Sequence, residues 1–139
     1  MKKISLLVEK LDYELLQGCL EGEISELVYD TRKVTKDAMF VCIVGTAFDS
    51  HEKAAEVAAA GAKVLIVSKE VTVPENVTVI KVADTRYALA LISAAYFDYP
   101  ANTLKVIGIT GTKGKTTTTF MIKSILENAP LSIHAHLLQ

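Results

Sequence analysis

A continuous apolar run, AMFVCIV at residues 38–44, most strongly constrains how this 139-residue chain folds. Gly45 ends the run, and a short segment this apolar is typical of a strand buried on both faces of a sheet. Two further β-branched runs follow at 63–67 and 77–82, separated by turn residues at 74–76. We expect these runs to be neighbouring strands of a largely parallel sheet.

Helical patterns alternate with the apolar runs. The first 25 residues favour an amphipathic helix that leads into a turn around Gly18 and Gly22. Residues 51–60 are Ala-rich and predict a second helix. Asp84 is placed to cap a third helix, because a carboxylate at that position accepts hydrogen bonds from the first free backbone N–H groups. Strands alternating with helices predict an α/β fold.

The strongest chemical signal is GITGTKGKTTTT at residues 108–119. An apolar run at 104–109 predicts a strand before it, and residues 116–127 predict a helix after it. We expect that helix to turn three apolar side chains inward: Met121, Ile122 and Ile125. A glycine-rich loop between a strand and a helix is the context of a nucleotide phosphate loop.

Each part of this loop has a physical reason to bind phosphate. Glycines let backbone N–H groups approach phosphate oxygens, and the helix N-terminus adds partial positive charge. Lys115 supplies a point charge to the β- and γ-phosphates, and the Thr116 hydroxyl is placed to bind Mg²⁺. The general motif has glycine where this chain has Ile109, so a Gly/Thr-rich turn before a helix is the alternative. The predicted ATP-binding residues are Gly111, Thr112, Lys113, Gly114, Lys115, Thr116 and Thr117.

Composition excludes several other functions. The net charge is −1, aromatic residues make up 6% of the chain, and there is no Trp, so we expect no nucleic-acid partner. No segment approaches the ~20 apolar residues that span a membrane, and the apolar run after Lys3 is too short for a signal peptide. Cys19 and Cys42 are expected to be reduced. We therefore expect a soluble, cytoplasmic protein.

The loop and the segments before it resemble one family. TGTKGKTTT at 110–118 resembles the ATP loop of the Mur ligases of peptidoglycan synthesis. Upstream, Asp30-Thr31-Arg32 is similar to the family's D-S-R element. Further segments match in order and spacing: MFVCIVG at 39–45, DSH at 49–51, DTRYAL at 84–89 and FDYP at 97–100. Among the family, the combination most resembles the MurE-type ligases, and MurF-type ligases are the nearest alternative.

The resemblance implies a domain organisation. Residues 1–100 are expected to form a small N-terminal α/β domain that binds the UDP-sugar substrate. Residues 101–128 correspond to the first strand, phosphate loop and helix of a truncated ATPase domain. Residues 129–139 form a tail unlike the family, for which a frame change, a premature stop or a gene-fragment origin is the expected cause. Its His134 and His136 are not expected to bind metal.

The resemblance also implies substrate-binding residues. These are Tyr29, Thr31, Thr46, Ala47 and Phe48. Thr31 would donate a hydrogen bond to a phosphate oxygen, or it would only satisfy a turn. Phe48 would pack on the uracil ring, or it would be an ordinary half-buried aromatic. Arg32 would pair with Asp30 or with a substrate phosphate. Asp49 and His51 are interpreted as a helix cap and a first-turn residue, not as catalytic groups.

The activity implied is that of an ATP-dependent amide ligase using ATP and Mg²⁺. It would add a third amino acid, diaminopimelate or lysine, to UDP-N-acetylmuramoyl-L-alanyl-D-glutamate through an acyl phosphate. The catalytic residues are expected downstream of this segment, so the chain alone is not expected to complete the reaction. Two alternatives stay open: a non-catalytic UDP-sugar-binding module with a vestigial loop, and an unrelated P-loop NTPase fragment.

Overall fold

The computed structural model describes residues 1–46, 48–103 and 107–128. They divide into two compact units, one covering Met1–Asn102 and one beginning at Thr103. In the first unit the strands are β1 (Lys2–Lys3), β2 (Tyr13–Gln17), β3 (Glu23–Ile24), β4 (Leu27–Val28), β5 (Ala38–Val41), β6 (Ala62–Val67) and β7 (Thr78–Val82). Its helices are α1 (Ile4–Val8), α2 (Ala54–Ala59) and α3 (Thr85–Tyr96). Short 3₁₀ turns lie at Thr31–Lys33, Ser50–Lys53 and Pro100–Asn102.

A five-stranded sheet organises the first unit, in the order β2-β7-β6-β5-β4. Strands β4, β5, β6 and β7 are parallel, and β2 joins the edge of the sheet antiparallel to β7. Strands β1 and β3 form a separate two-stranded antiparallel ladder. The predicted α/β class with a largely parallel sheet is confirmed.

Helices cover both faces of this sheet. All four residues of β5 are buried, as its apolar sequence predicts. Because successive side chains of a strand point to opposite faces, Met39 and Val41 pack in the cluster that contains α1 and α3 residues. Ala38 and Phe40 pack in the opposite cluster, which contains Ala54 and Val57 of α2. The carboxyl ends of the parallel strands are left free to carry loops.

The predicted helix over the first 25 residues is wrong for most of its length. Helix α1 ends at Val8, and residues Tyr13–Gln17 form strand β2. The burial of YELLQ does not alternate, and Leu15 and Leu16 are both exposed, so the local pattern gives no period-2 signal. Pairing with β7 decides the structure, because it satisfies backbone groups that an open sheet edge would leave exposed.

Helix α3 begins as predicted. The Asp84 side chain accepts hydrogen bonds from the backbone N–H groups of Arg86 and Tyr87 at 2.8 and 3.1 Å. Ala88 and Ile92 are buried on its inner face. The predicted cap is confirmed, and it fixes where the α3 side chains stand relative to the strand ends.

The second unit contains α4 (Lys115–Glu127), so the helix predicted after the loop is confirmed. The inward packing predicted for its apolar face is not found for Met121, which is 63% exposed, or Ile125, which is 70% exposed; Ile122 is half-buried. No residue of α4 is buried, because the described part of this unit supplies no sheet to cover the helix. Ile107 to Ile109 are not in a strand, and the rest of that predicted strand, 104–106, lies outside the described residues.

The predicted tail at 129–139 also lies outside the described residues. Of the helices that the structure does describe, none combines the length and apolar character needed to cross a membrane.

Candidate functional site

A cleft of about 740 Å³ lies at the carboxyl ends of the parallel strands. Strand β4 leads into its first wall, formed by Tyr29, Asp30, Thr31 and Arg32. Strand β5 leads into its second wall, formed by Ile43, Gly45, Thr46, Phe48 and Ser50. Helix α3 contributes Arg86 and Leu89. Ligands of open α/β sheets bind at this edge, where the loops after the strands converge.

The cleft brings together side chains that the sequence placed in separate segments. Tyr29, Thr31, Thr46 and Phe48 all line it, and Ala47 lies outside the described residues. The contacts of these residues with a nucleotide-sugar stay predictions, but the four side chains line the same cleft. An apolar part formed by Ile43 and Leu89 adjoins the polar and charged side chains.

Asp30 holds the first wall in place. Its carboxylate accepts from the Arg32 backbone N–H at 3.0 Å, which caps the turn Thr31–Lys33. It also accepts from Arg32 Nε at 3.0 Å and from Arg32 Nη2 at 2.8 Å. Arg32 thus pairs with Asp30, one of the two alternatives. The guanidinium, together with the Arg32 backbone N–H, lowers the pKa of the Asp30 carboxyl to about 2.

Thr31 is not the residue that satisfies the turn. The capping acceptor belongs to Asp30, and within the described residues the Thr31 hydroxyl has no hydrogen-bond partner. A hydroxyl at a cleft wall with its donor unused is able to bind an oxygen of a ligand.

The second wall is a small loop closed on itself. Gly45 N–H donates to the Phe48 carbonyl at 2.8 Å. Ser50 is buried and closes the base: its backbone N–H donates to the Ile43 carbonyl at 3.1 Å, and its Oγ accepts from the Ile43 N–H at 2.6 Å. The described residues of this loop, 43–46 and 48–50, thus present Thr46 and Phe48 from a fixed base.

Asp49 and His51 anchor the far end of the loop. Asp49 Oδ1 accepts from the His51 backbone N–H at 3.0 Å and from His51 Nδ1 at 2.6 Å. The Ser68 backbone N–H donates to His51 Nε2 at 3.0 Å, so Nε2 is an acceptor and the ring proton sits on Nδ1. His51 is buried and both ring nitrogens are engaged. The interpretation of these residues as cap and first turn is confirmed.

Lys69 completes this anchor by donating to Asp49 Oδ2 at 2.6 Å. The Lys69 ammonium, with the His51 backbone N–H, holds the pKa of the Asp49 carboxyl well below its usual range. Burial, with the nearby Asp49 charge, raises the pKa of the Cys42 thiol to about 12, so that thiol is inert at neutral pH.

These carboxyls predict a pH dependence of stability. In the unfolded chain both titrate near 3.8, whereas in the folded chain their pKa values are lower. Between pH about 4 and about 2 the unfolded state therefore binds more protons, and the free energy of unfolding falls as the pH is lowered. We expect Asp30→Asn together with Asp49→Asn to flatten this fall, measured by urea denaturation at several pH values. An unchanged slope in that double variant would contradict the assignment.

Sequence reasoning missed Arg86 as a site residue. Its Nη2 donates to the Val44 carbonyl at 3.1 Å, across 42 positions of sequence. The segment 84–89 was matched to the family pattern, but nothing local indicated that its arginine would reach the loop after β5. Only the parallel arrangement of β5 and β7 around β6 brings the two together.

The predicted ATP loop is described in the second unit. Gly114 precedes α4 with φ +78°, a left-handed conformation that favours glycine. Lys115 Nζ donates to the Gly111 carbonyl at 2.7 Å, so it spans the loop. Residues 111–118 are exposed. The loop thus presents backbone N–H groups, an ammonium and the Thr116 hydroxyl to solvent.

This donor set fits a Mg²⁺–nucleotide better than a bare metal ion. Among the residues that the structure describes, no group of three or more His, Cys, Asp or Glu side chains is placed to hold a metal. Thr116 would supply one hydroxyl oxygen, and nucleotide phosphates and water would supply the others. The roles predicted for the loop residues stay predictions.

Comparison with known proteins gives consistent relatives. The model of the Mur ligase family, catalytic domain, matches residues 23–97, more than half of the chain. A UDP-N-acetylmuramoyl-L-alanyl-D-glutamate–2,6-diaminopimelate ligase of Clostridium perfringens is 49% identical over 123 residues, 88% of this chain. A ligase of the same description from Clostridium botulinum is 43% identical over 91% of this chain. The chain spans about a quarter of these relatives, 25% and 26% of their lengths.

Solved structures agree. Crystal structure II of MurF from Acinetobacter baumannii matches with a TM-score of 0.67 and 33% identity, covering 92% of this chain and 28% of that one. The MurF ligase of Thermotoga maritima in complex with ADP matches with a TM-score of 0.57 and 24% identity, covering 75% of this chain and 23% of that one. The family match lies upstream of the phosphate loop, which rules out an unrelated NTPase fragment. This chain belongs to the Mur ligase family.

Proposed function

We propose that this chain is the substrate-binding part, with the ATP loop, of an ATP-dependent ligase. That ligase would join a third amino acid to UDP-N-acetylmuramoyl-L-alanyl-D-glutamate in peptidoglycan synthesis. The relatives at 43–49% identity carry the name of that reaction with 2,6-diaminopimelate, which favours it over a MurF-type reaction. Because the chain spans about a quarter of their length, the whole reaction is proposed for the full-length protein and binding for the chain itself.

One observation carries the binding proposal. Tyr29, Thr31, Thr46 and Phe48 line a single cleft at the carboxyl ends of parallel strands. The Thr31 hydroxyl would donate to a phosphate oxygen, and Phe48, which is 48% exposed, offers a ring face to the uracil. Ala47 belongs to the same proposed site.

In the second unit, Gly111 to Thr117 would bind ATP. Lys115 would exchange its bond with the Gly111 carbonyl for a phosphate oxygen, and the Thr116 hydroxyl would bind Mg²⁺. When bound, ATP supplies the phosphoryl group that activates the substrate carboxylate for attack by an amine. The chain's own residues would bind ATP and the UDP-muramoyl dipeptide. The choice between lysine and diaminopimelate as the added amino acid would depend on residues outside the proposed site.

The test is isothermal calorimetry of the chain with UDP-N-acetylmuramoyl-L-alanyl-D-glutamate and, separately, with Mg²⁺ and ATP. We expect saturable binding of both. If the chain binds the UDP compound but does not bind ATP, it belongs to the alternative class, a substrate-binding module with a vestigial loop. Absence of binding to the UDP compound would overturn the proposal.

Replacing Phe48 with alanine should weaken binding of the UDP compound about tenfold, because base–aromatic stacking contributes roughly 1–3 kcal/mol. The measurement is the same calorimetric titration. Phe97→Ala is the matched control: Phe97 is 67% exposed and packs edge-on against Tyr96, outside the cleft. Unchanged affinity in Phe48→Ala would remove Phe48 from the site.

A further inference from the structure

Two arginines line the cleft, and they differ in their partners. The Arg32 guanidinium is held by both carboxylate oxygens of Asp30. Within the described part of the chain, Arg86 has no carboxylate oxygen in ion-pair range, and its side chain makes a single hydrogen bond, from Nη2 to the Val44 carbonyl. The charge of Arg32 is thus balanced inside the protein and that of Arg86 is not.

The Val44 bond also orients the guanidinium. Val44 lies in the loop that carries Thr46 and Phe48, directly before Gly45. A guanidinium is a planar fork with five N–H donors, so one bond to a carbonyl leaves the others free. Such a fork matches two oxygens of a phosphate group.

Two backbone donors at the start of α3 are already engaged. The N–H groups of Arg86 and Tyr87 both donate to Asp84 Oδ1. Neither of these two N–H groups is therefore free for an anion in this part of the cleft. Among the described residues, the hydroxyls of Tyr29, Thr31 and Thr46 and the guanidinium of Arg86 line the cleft with unused donors, and of these only Arg86 carries a charge.

We propose that Arg86 recognises the diphosphate of the nucleotide-sugar, from the position in which its bond to Val44 holds it. This inference rests on the proposed function. Arg86 would then have two roles. Its bond to the Val44 carbonyl ties the loop that carries Thr46 and Phe48 to α3, and its positive charge would attract the negative diphosphate.

Calorimetry with UDP and with uridine tests the proposal, because the two ligands differ only in the diphosphate. Arg86→Gln loses the charge and keeps an amide N–H on a shorter side chain, whereas Arg86→Lys keeps the charge and loses the fork. We expect Arg86→Gln to lower the affinity for UDP about tenfold or more, and that for uridine by less than about threefold. Arg86→Lys should lose less than Arg86→Gln for UDP. Lys33→Ala removes a nearby cation that does not line the cleft and should change neither affinity.

The other outcomes are equally informative. Equal losses for UDP and uridine would show that Arg86 only positions the loop, and unchanged UDP affinity would show that it does not touch the diphosphate; either result overturns the inference and leaves the proposed function standing. If the unsubstituted chain binds neither UDP nor the UDP-muramoyl dipeptide, the proposed function fails, and the inference with it. Unfolding midpoints of each variant show whether a loss reflects folding.

Discussion

Replacing Lys115 with alanine is expected to lower the affinity of the chain for Mg²⁺–ATP about a hundredfold or more. Hydrogen bonds to charged groups are worth roughly 1.5–3 kcal/mol, and the ammonium adds attraction to the polyphosphate charge. In the structure this ammonium already spans the loop to the Gly111 carbonyl, so it lies where a bound phosphate would need it. The measurement is calorimetric titration with Mg²⁺ and ATP.

Two other lysines provide matched controls for the loss of charge. Lys113 lies in the same loop, and Lys113→Ala should reduce ATP affinity by less than about tenfold because backbone N–H groups there remain. Lys123 lies on α4 and pairs with Glu127 at 3.5 Å, so Lys123→Ala should leave ATP affinity unchanged. ATP affinity that survives Lys115→Ala would mean that the loop does not bind nucleotide through this residue.

A charge-preserving substitution separates the two roles of Lys115. Lys115→Arg keeps a cation but cannot reproduce the compact ammonium bonded to Gly111. We expect it to retain part of the ATP affinity that Lys115→Ala loses. Helix content measured by circular dichroism should stay the same in both variants, because Gly114 forms the N-cap of α4 and Lys115 is exposed.

The sequence predicts the inner strands of this fold better than its edge. Strands β5, β6 and β7 are apolar on both faces, so composition alone indicates them. Strand β2 has no such signal, since its residues alternate poorly and Leu15 and Leu16 are exposed. Its identity depends on pairing with β7, which no window of local sequence contains.

The same limit applies to the site. Tyr29, Thr31, Thr46 and Phe48 were predicted because a family pattern marks short segments, and the structure places them around one cleft. Arg86 was not predicted, because its bond to the Val44 carbonyl depends on the crossover that sets α3 beside the end of β5. The partner of Arg32 also required the structure, because Asp30 and a substrate phosphate are both anions that could pair with its guanidinium.

Gly18, in the turn that leads out of β2, should not tolerate a side chain. Gly18 has φ +80°, and a Cβ there would lie 2.6 Å from Thr78 Oγ1 and 2.8 Å from Thr78 Cα. A left-handed conformation costs a non-glycine residue about 1 kcal/mol or more, and overpacking against backbone adds about 1–3 kcal/mol. We therefore expect Gly18→Ala to lower the free energy of unfolding by about 2–4 kcal/mol.

Gly22→Ala separates the two causes. Gly22 also has a positive φ, +104°, but a Cβ there meets only the Lys63 side chain, with Nζ at 3.0 Å. A lysine end can move, so this variant should lose only about 1 kcal/mol, the conformational part. Urea denaturation followed by tyrosine fluorescence measures both, because all five tyrosines lie in the first unit: Tyr13, Tyr29, Tyr87, Tyr96 and Tyr99. Equal losses in the two variants would mean that the contact with Thr78 does not limit the turn, and that the backbone conformation alone makes glycine necessary at Gly18.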